Sequence, residues 1–464
     1  MKRKMLCALL AGLLLCGGLL GGCAGDTGEE SSLPFVEEEQ AENDGSPAQL
    51  VLGTAEADTQ RAAVLEEIAE KYTADFPNTQ VEVRSYGSKE ALQAALASGE
   101  ADIGEMEEAD VPQAVEEGLL LDLYDWVDTW EERYSLSQEA WQAIRTMGKD
   151  HAYVIPYDFD QLVTYYRADW FEEYNATAES AITPREWCRN WNQIARTVER
   201  LGEKGKVAFG GKERLGQLFD AALWGDLSLG RLGAQGAAYF AAGDEHLTIF
   251  TWEMLPEAVE NFKEHYQCYT LPQSLEWTEE QAVEAFLNGE AAILFAGSGV
   301  GEELAASLPE GSWGTIGPVQ GATGASIISD QYVGWAVSAH SEEPEIAAHF
   351  LLYLSSADNN THFAKVTGVL PIHVSALEME PSLLEGDRGG EMYMMEKNDW
   401  YQYADPPVMY QAYETWPAQR DQLARELLAG SVTGEELLAE MDAYWTQAFE
   451  TEGDLLGIHE EENE

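Results

Sequence analysis

Between Gln49 and Gly104 the chain alternates between the two-residue hydrophobic period of strands and the 3.6-residue period of helices, and nothing else in it restricts the fold as tightly. Gln49-Leu50-Val51-Leu52-Gly53 is a short apolar run of strand length. Leu65, Ile68, Tyr72 and Phe76 then recur at helical spacing until Pro77 stops the turn. Val81 and Val83 alternate with charged residues as a second strand, Lys89–Ser98 is helical with Gly99 as its cap, and Ala101-Asp102-Ile103-Gly104 makes a third strand. Strand, helix, strand, helix, strand predicts a parallel sheet covered on both faces. The alternation resumes later, with helices predicted over Pro184–Leu201, Leu215–Trp224, Met254–Gln267 and Thr278–Leu287, and strands over Ala291–Ala296 and Tyr332–Val337. The expected fold is therefore α/β with two lobes. Ligands of open parallel sheets sit outside the carboxyl ends of the strands, which in a two-lobed chain places the crevice between the lobes.

The first residues carry a different message. Met1-Lys2-Arg3-Lys4 is basic, and Met5–Leu20 is an apolar run of Leu, Ala, Gly and Cys ending in Leu20-Gly21-Gly22-Cys23. The run is too short and glycine-interrupted for a spanning helix, and polar, Glu-rich sequence follows it, so residues 1–22 read as a secretory signal. The small residues before Cys23 resemble the lipobox of bacterial lipoproteins, in which the signal is cut ahead of a cysteine that then carries lipid; an ordinary signal with an incidental cysteine is the alternative. Residues 23–47 are rich in Gly, Ser, Pro and Glu, cannot bury a core, and read as an extended tether. Residues 450–464 form an acidic tail.

Charge then removes a class of function. The 464 residues include 84 Asp and Glu against 26 Lys and Arg, a formal charge of −58. Nucleic-acid binding depends on clustered cations that release counterions, so no nucleic-acid partner is expected. At 45% hydrophobic and 10% aromatic residues the chain has enough apolar surface to fold. Cys7 and Cys16 would leave with the signal and Cys23 would be the lipid site, leaving Cys188 and Cys268 either as a disulfide or as two buried free thiols.

Catalytic signatures are missing from the sequence. It contains no G-x-S-x-G elbow, P-loop, H-E-x-x-H, C-x-x-C or EF-hand pattern. His340, His349, His362 and His373 are scattered, with no two at the three- or four-residue spacing of a helical ligand pair, and neither metal nor cofactor is expected. The 14 Trp and 20 Tyr are notable in an exported chain, because aromatic faces stack on sugar rings as well as filling cores.

From Ala48 onward the chain resembles the extracellular solute-binding proteins of bacterial ABC importers, the family that includes maltose-binding protein. The similar segments run in the family's order: Ile68-Ala69-Glu70-Lys71-Tyr72 through Val83, Leu92–Asp102, Gly118–Leu123, Val154-Ile155-Pro156-Tyr157-Asp158 with Leu162–Tyr166, Pro184-Arg185-Glu186-Trp187, Phe286–Ala292, Gly334–Ser341, and Thr367-Gly368-Val369-Leu370-Pro371. The resemblance implies two α/β lobes joined by hinge strands, lobe one over 46–156 plus 319–366 and lobe two over 157–318 plus 367–449. It implies that Tyr157, Asp158 and Asp160 lie where the chain first crosses between lobes, the tyrosine to stack and the carboxylates to accept sugar hydroxyls, or else to hold the hinge. The aromatic that often follows the strand matching Ala291–Ala296 is replaced by Gly297-Ser298-Gly299. Ser298 and its flanking amides are left to hydrogen-bond a ligand there. Trp224, Trp335 and Trp416 fall near positions that supply cleft aromatics, and Asp58 and Glu107 near positions that supply polar contacts.

The function this resemblance implies is a lipid-anchored monomer on the extracellular face of the membrane that captures a carbohydrate, an oligosaccharide or similar polyol, and hands it to an ABC permease without chemical change. A cationic solute, a surface carbohydrate hydrolase and a sensor partner of a membrane kinase are the alternatives.

Overall fold

The computed structural model describes residues 45–55, 59–145, 147, 150–159, 162–188, 190–226, 239–242, 245–248, 255–318, 326–328, 332–387, 389, 401–403 and 410–452. Its strands are β1 (Ala48–Thr54), β2 (Thr79–Ser85), β3 (Ile103–Glu107), β4 (Val154–Phe159), β5 (Leu162–Tyr166), β6 (Val207–Phe209), β7 (Tyr239–Ala242), β8 (Glu245–Thr248), β9 (Ile293–Gly297), β10 (Gly314–Pro318), β11 (Ser326–Ile328), β12 (Tyr332–Val337) and β13 (Tyr401–Tyr403). They form a five-stranded sheet in the order β2-β1-β3-β12-β4, a four-stranded sheet in the order β10-β5-β9-β6, and two short pairs, β11-β13 and β7-β8.

In the first sheet the expected parallel pairing holds where helices cross over between neighbours: β1 is parallel to β2 and to β3. The helix Thr59–Asp75 makes the first crossover and buries Val64, Leu65, Ile68 and Tyr72. The helix Lys89–Ser98 makes the second, opened by the Ser88 side chain accepting from the Ala91 amide and closed by Gly99 at φ 73°. A parallel sheet throughout is not what forms, however. β12 runs antiparallel to both β3 and β4, because it enters this sheet from the other lobe rather than through a local crossover helix. Gly334 of β12 passes so close to β4 that a Cβ there would lie 2.6 Å from the Ile155 carbonyl oxygen.

The second sheet separates its residues by parity. Ile293 and Phe295 join one apolar cluster with Trp191, Phe209, Phe219 and Phe262, whereas Leu294 and Ala296 join another with Val163, Tyr165 and Phe286. Successive strand residues point to opposite faces, so two clusters on one sheet mean that both faces are covered. The helices Tyr410–Ala429 and Gly434–Glu452 supply Leu423, Leu427, Leu437 and Met441 to the first of these clusters.

Several boundaries differ from the sequence reading. The expected helix Pro184–Leu201 is two helices, Pro184–Trp187 and Trp191–Leu201, because Asn190 adopts extended backbone and caps the second through the Gln193 amide. β4 continues in the first sheet to Phe159, three residues beyond Pro156. Past Val366 the chain still serves the first core, which takes in Val369 and Ile372. Cys188 and Cys268 are both free thiols; Cys188 is buried as expected, but Cys268 is exposed. Cys23 lies outside the described residues, among which no helix is long and apolar enough to cross a membrane.

Candidate functional site

A cavity of about 350 Å³ lies where the two lobes meet, with Asp158 of β4 on one side and lobe-two residues on the other. Its lobe-two wall is the turn Gly297-Ser298-Gly299 and the start of the helix Val300–Ser307, together with Arg214, Glu279 and Glu303. This turn is held from behind. Tyr165 of β5 donates its hydroxyl to the carbonyls of Gly297 (2.9 Å) and Ser298 (3.0 Å), and the Gly297 amide donates to Glu279 Oε2 (2.9 Å).

Glu279 is itself fixed. It is the first residue of the helix Glu279–Leu287, which opens with a reciprocal capping box between Thr278 and Gln281. Arg214 grips its carboxylate with two bonds, Nε to Oε2 at 2.5 Å and Nη2 to Oε1 at 3.1 Å, a fork geometry that fixes orientation as well as charge. Gly299 leaves the cavity open, since a Cβ placed there would meet nothing within 4 Å. Glu302 and Glu303 sit in the first turn of the helix Val300–Ser307, where the helix dipole favours negative charge.

On the lobe-one side, β4 carries a bulge. Val333 pairs with Asp158 and Gly334 with Pro156, so Tyr157 is skipped in the register, and a bulge of this kind redirects the side chains around it. Tyr157 is accordingly packed inward, 2% exposed, with its ring stacked on Trp335 at 4.5 Å and edge-on to Phe363 at 5.4 Å. Its hydroxyl donates to Glu105 Oε1 (2.8 Å), and the same oxygen accepts from Arg61 Nη1 (3.1 Å). Glu105 Oε2 takes the Ala55 amide at 2.7 Å. Burial, reinforced by the charge of Glu105, holds the Tyr157 phenol well above its ordinary pKa. Burial works against the Arg61 charge, yet Tyr157, Glu105 and Asp158 together outweigh it and raise the guanidinium pKa. Asp158 is therefore coupled by charge to Arg61, which lies half-buried beside the buried Tyr157 and Glu105.

The structure brings Asp158 and Ser298 to one cavity from opposite lobes. Tyr157 and Trp335 lie together beneath that site in the first core rather than on its wall. Glu107 is at the exposed end of β3, accepting from Lys89 Nζ at 2.7 Å. Trp416 is buried in the second core beside Tyr444, 5.2 Å between ring centres. Trp224 belongs to the helix Gly211–Asp226, but its side chain, like Asp58 and Asp160, lies outside the described residues. Arg214, Glu279 and Glu303 were not anticipated; the only local signal was Thr278-Glu279-Glu280-Gln281, a capping-box pattern that places Glu279 at a helix start.

Two α/β lobes with a polar cavity between them define a binding protein of the two-lobed periplasmic type. Residues 56–361 match the family model of the bacterial extracellular solute-binding proteins, and the chain belongs to that family. Comparison with curated protein sequences finds no match. Among solved structures, the sugar-binding protein of the phytopathogen Xanthomonas citri is similar with a TM-score of 0.67 and 17% identity, over 89% of this chain and 100% of that one. A cyclo/maltodextrin-binding protein complexed with maltotetraose gives 0.66 and 17% over 88% of this chain and 99% of its own. The cyclic α-maltosyl-1,6-maltose binding protein from Arthrobacter globiformis gives 0.65 and 17% over 88% and 100%. At such identities the likeness is one of fold.

Proposed function

We propose that this protein captures a carbohydrate, an oligosaccharide in the first instance, between its lobes and delivers it unchanged to an ABC import permease, while a lipid on Cys23 holds it at the extracellular face of the membrane. The observation that carries the reading is the meeting of Asp158 and Ser298 across one cavity. A carboxylate and a hydroxyl on opposite lobes bind a polyol best when the lobes close, so capture and closure are coupled. The sugars named in the neighbouring structures support the same solute class. Asp158 and Glu303 on opposite walls also favour a second reading, a cationic solute such as an amino sugar.

A glycan panel screened by thermal shift tests the proposal. A binder raises the melting temperature and returns the glycan intact, whereas shortened products would indicate a hydrolase. For the glycan that binds, Asp158→Ala should lose about 1.5–3 kcal/mol, the range for a hydrogen bond to a charged group, or about tenfold or more in affinity by calorimetric titration. Unchanged affinity would remove Asp158 from the site.

A further inference from the structure

A second and larger cavity, about 520 Å³, lies wholly within lobe one. Its walls are aromatic. Trp126 and Trp130 are four residues apart at the helix Tyr124–Thr129 and its C-cap, and His349 and Tyr353 are four apart on the helix Pro344–Leu354, so each pair presents its rings on one side. Phe76 lines the cavity too, its ring 4.9 Å from that of His349 and nearly perpendicular to it. These side chains are half-buried: packed in place, yet reached by solvent. Their positions are fixed from behind, since the Tyr72 hydroxyl meets His349 Nδ1 at 2.8 Å and Trp130 lies edge-on to His373 at 5.8 Å.

The carboxylates of Asp75, Glu131 and Glu132 give the cavity its charge, and among the described lining residues there is no Lys or Arg. Asp75 accepts from the Tyr353 hydroxyl (3.1 Å) and Glu132 from the Ala357 amide (2.5 Å), each through one of its two carboxylate oxygens. Burial lowers the pKa of His349, which disfavours a positive charge on the imidazole. The Tyr353 ring already attracts a cation, with Lys71 Nζ 5.7 Å from its centre, although Lys71 does not line the cavity.

We propose that this cavity is a second ligand site, separate from the interlobe cavity, and that it takes a small organic ammonium ion. Aromatic faces and carboxylates attract the same charge by different means, the ring quadrupole and the Coulomb field, and together they distinguish a cation on an apolar body from a neutral sugar or an anion. The volume is that of a small-molecule pocket.

Choline, titrated calorimetrically into the full chain at about 0.15 M NaCl to screen diffuse attraction, is the probe. The expected result is saturable binding of one equivalent, weakened about tenfold or more by Trp130→Ala. Glu131→Gln, at an exposed position that leaves packing intact, should weaken it by a smaller factor while keeping the melting temperature of the parent. The uncharged isostere of choline, with carbon in place of the quaternary nitrogen, should bind at least about tenfold more weakly. Absence of saturable binding overturns the proposal, and so does equal binding of the isostere. Loss of choline binding in Asp158→Ala with retention in both Trp130→Ala and Glu131→Gln would move the ion to the interlobe cavity and overturn it as well.

Discussion

His373 is fully buried, with Nδ1 2.6 Å from Ser135 Oγ and Nε2 donating to the Ser355 carbonyl at 2.8 Å. It ties the segment after the helix Ala357–Thr367 to the 3₁₀ turn Glu131–Ser135, both part of lobe one. Burial lowers its pKa below the ordinary imidazole value, against the opposing pull of the Ser355 carbonyl and Glu132. Well above the ordinary imidazole value of about 6.5 the side chain is neutral in the folded and unfolded chain alike, and its contribution is fully present. As pH falls below that value the unfolded chain takes up the proton first, so stability drops until the folded pKa is passed. The melting temperature of the protein should therefore fall between about pH 7 and pH 5.5, ahead of most carboxylate titration. His373→Gln should start lower but decline less steeply over the same interval, since one proton-linked group has been removed. Parallel slopes for the two proteins would mean that His373 is not the group responsible.

The helix Glu279–Leu287 shows how an element positions the site. Its capping box satisfies two backbone donors at once and sets Glu279 where it can receive both Arg214 and the Gly297 amide. Thr278→Ala should lower stability by about 1 kcal/mol in urea unfolding, the usual effect of losing such a cap, and Thr278→Ser should recover most of it. Loss of stability in neither variant would mean that Arg214 alone holds the helix start. Elements punctuated this locally were legible in the sequence: Lys89–Ser98 lies between Ser88 and Gly99, and Tyr332–Val337 emerged with its expected ends. The break at Asn190 was hidden because the apolar period continues through it. The antiparallel course of β12 and the bulge at Tyr157 were hidden for a different reason, since both arise from pairing between strands remote in sequence. The same distinction divides the site. Asp158 and Ser298 could be reached through motifs similar to those of a known family, whereas Arg214 joins Glu279 only through the packing of two helices, which no spacing along the chain encodes.

At the scale of the whole molecule, charge opposes the compactness that the two lobes achieve. If every Lys and Arg were paired with a carboxylate, 58 carboxylates would still have no cationic partner, as the formal charge of −58 requires. Among the described residues, ion pairs such as Arg84 with Glu82 and Lys89 with Glu107 lie at the surface, where each is worth about 1 kcal/mol or less. Folding brings the remaining carboxylates closer together than they are in the expanded chain, so their mutual repulsion destabilises the folded state. Salt shortens the reach of that repulsion from about 30 Å at 0.01 M to about 3 Å at 1 M. The melting temperature should therefore rise between dilute buffer and about 0.5 M NaCl. Screening also dictates the form of the rise: steepest at low salt, then levelling as the Debye length drops below the spacing between neighbouring carboxylates. A general salting-out effect would instead grow steadily with concentration. A flat or falling curve would mean that the acidic side chains are spaced widely enough, or are neutralised closely enough by bound cations, for the net charge to exert no destabilising field.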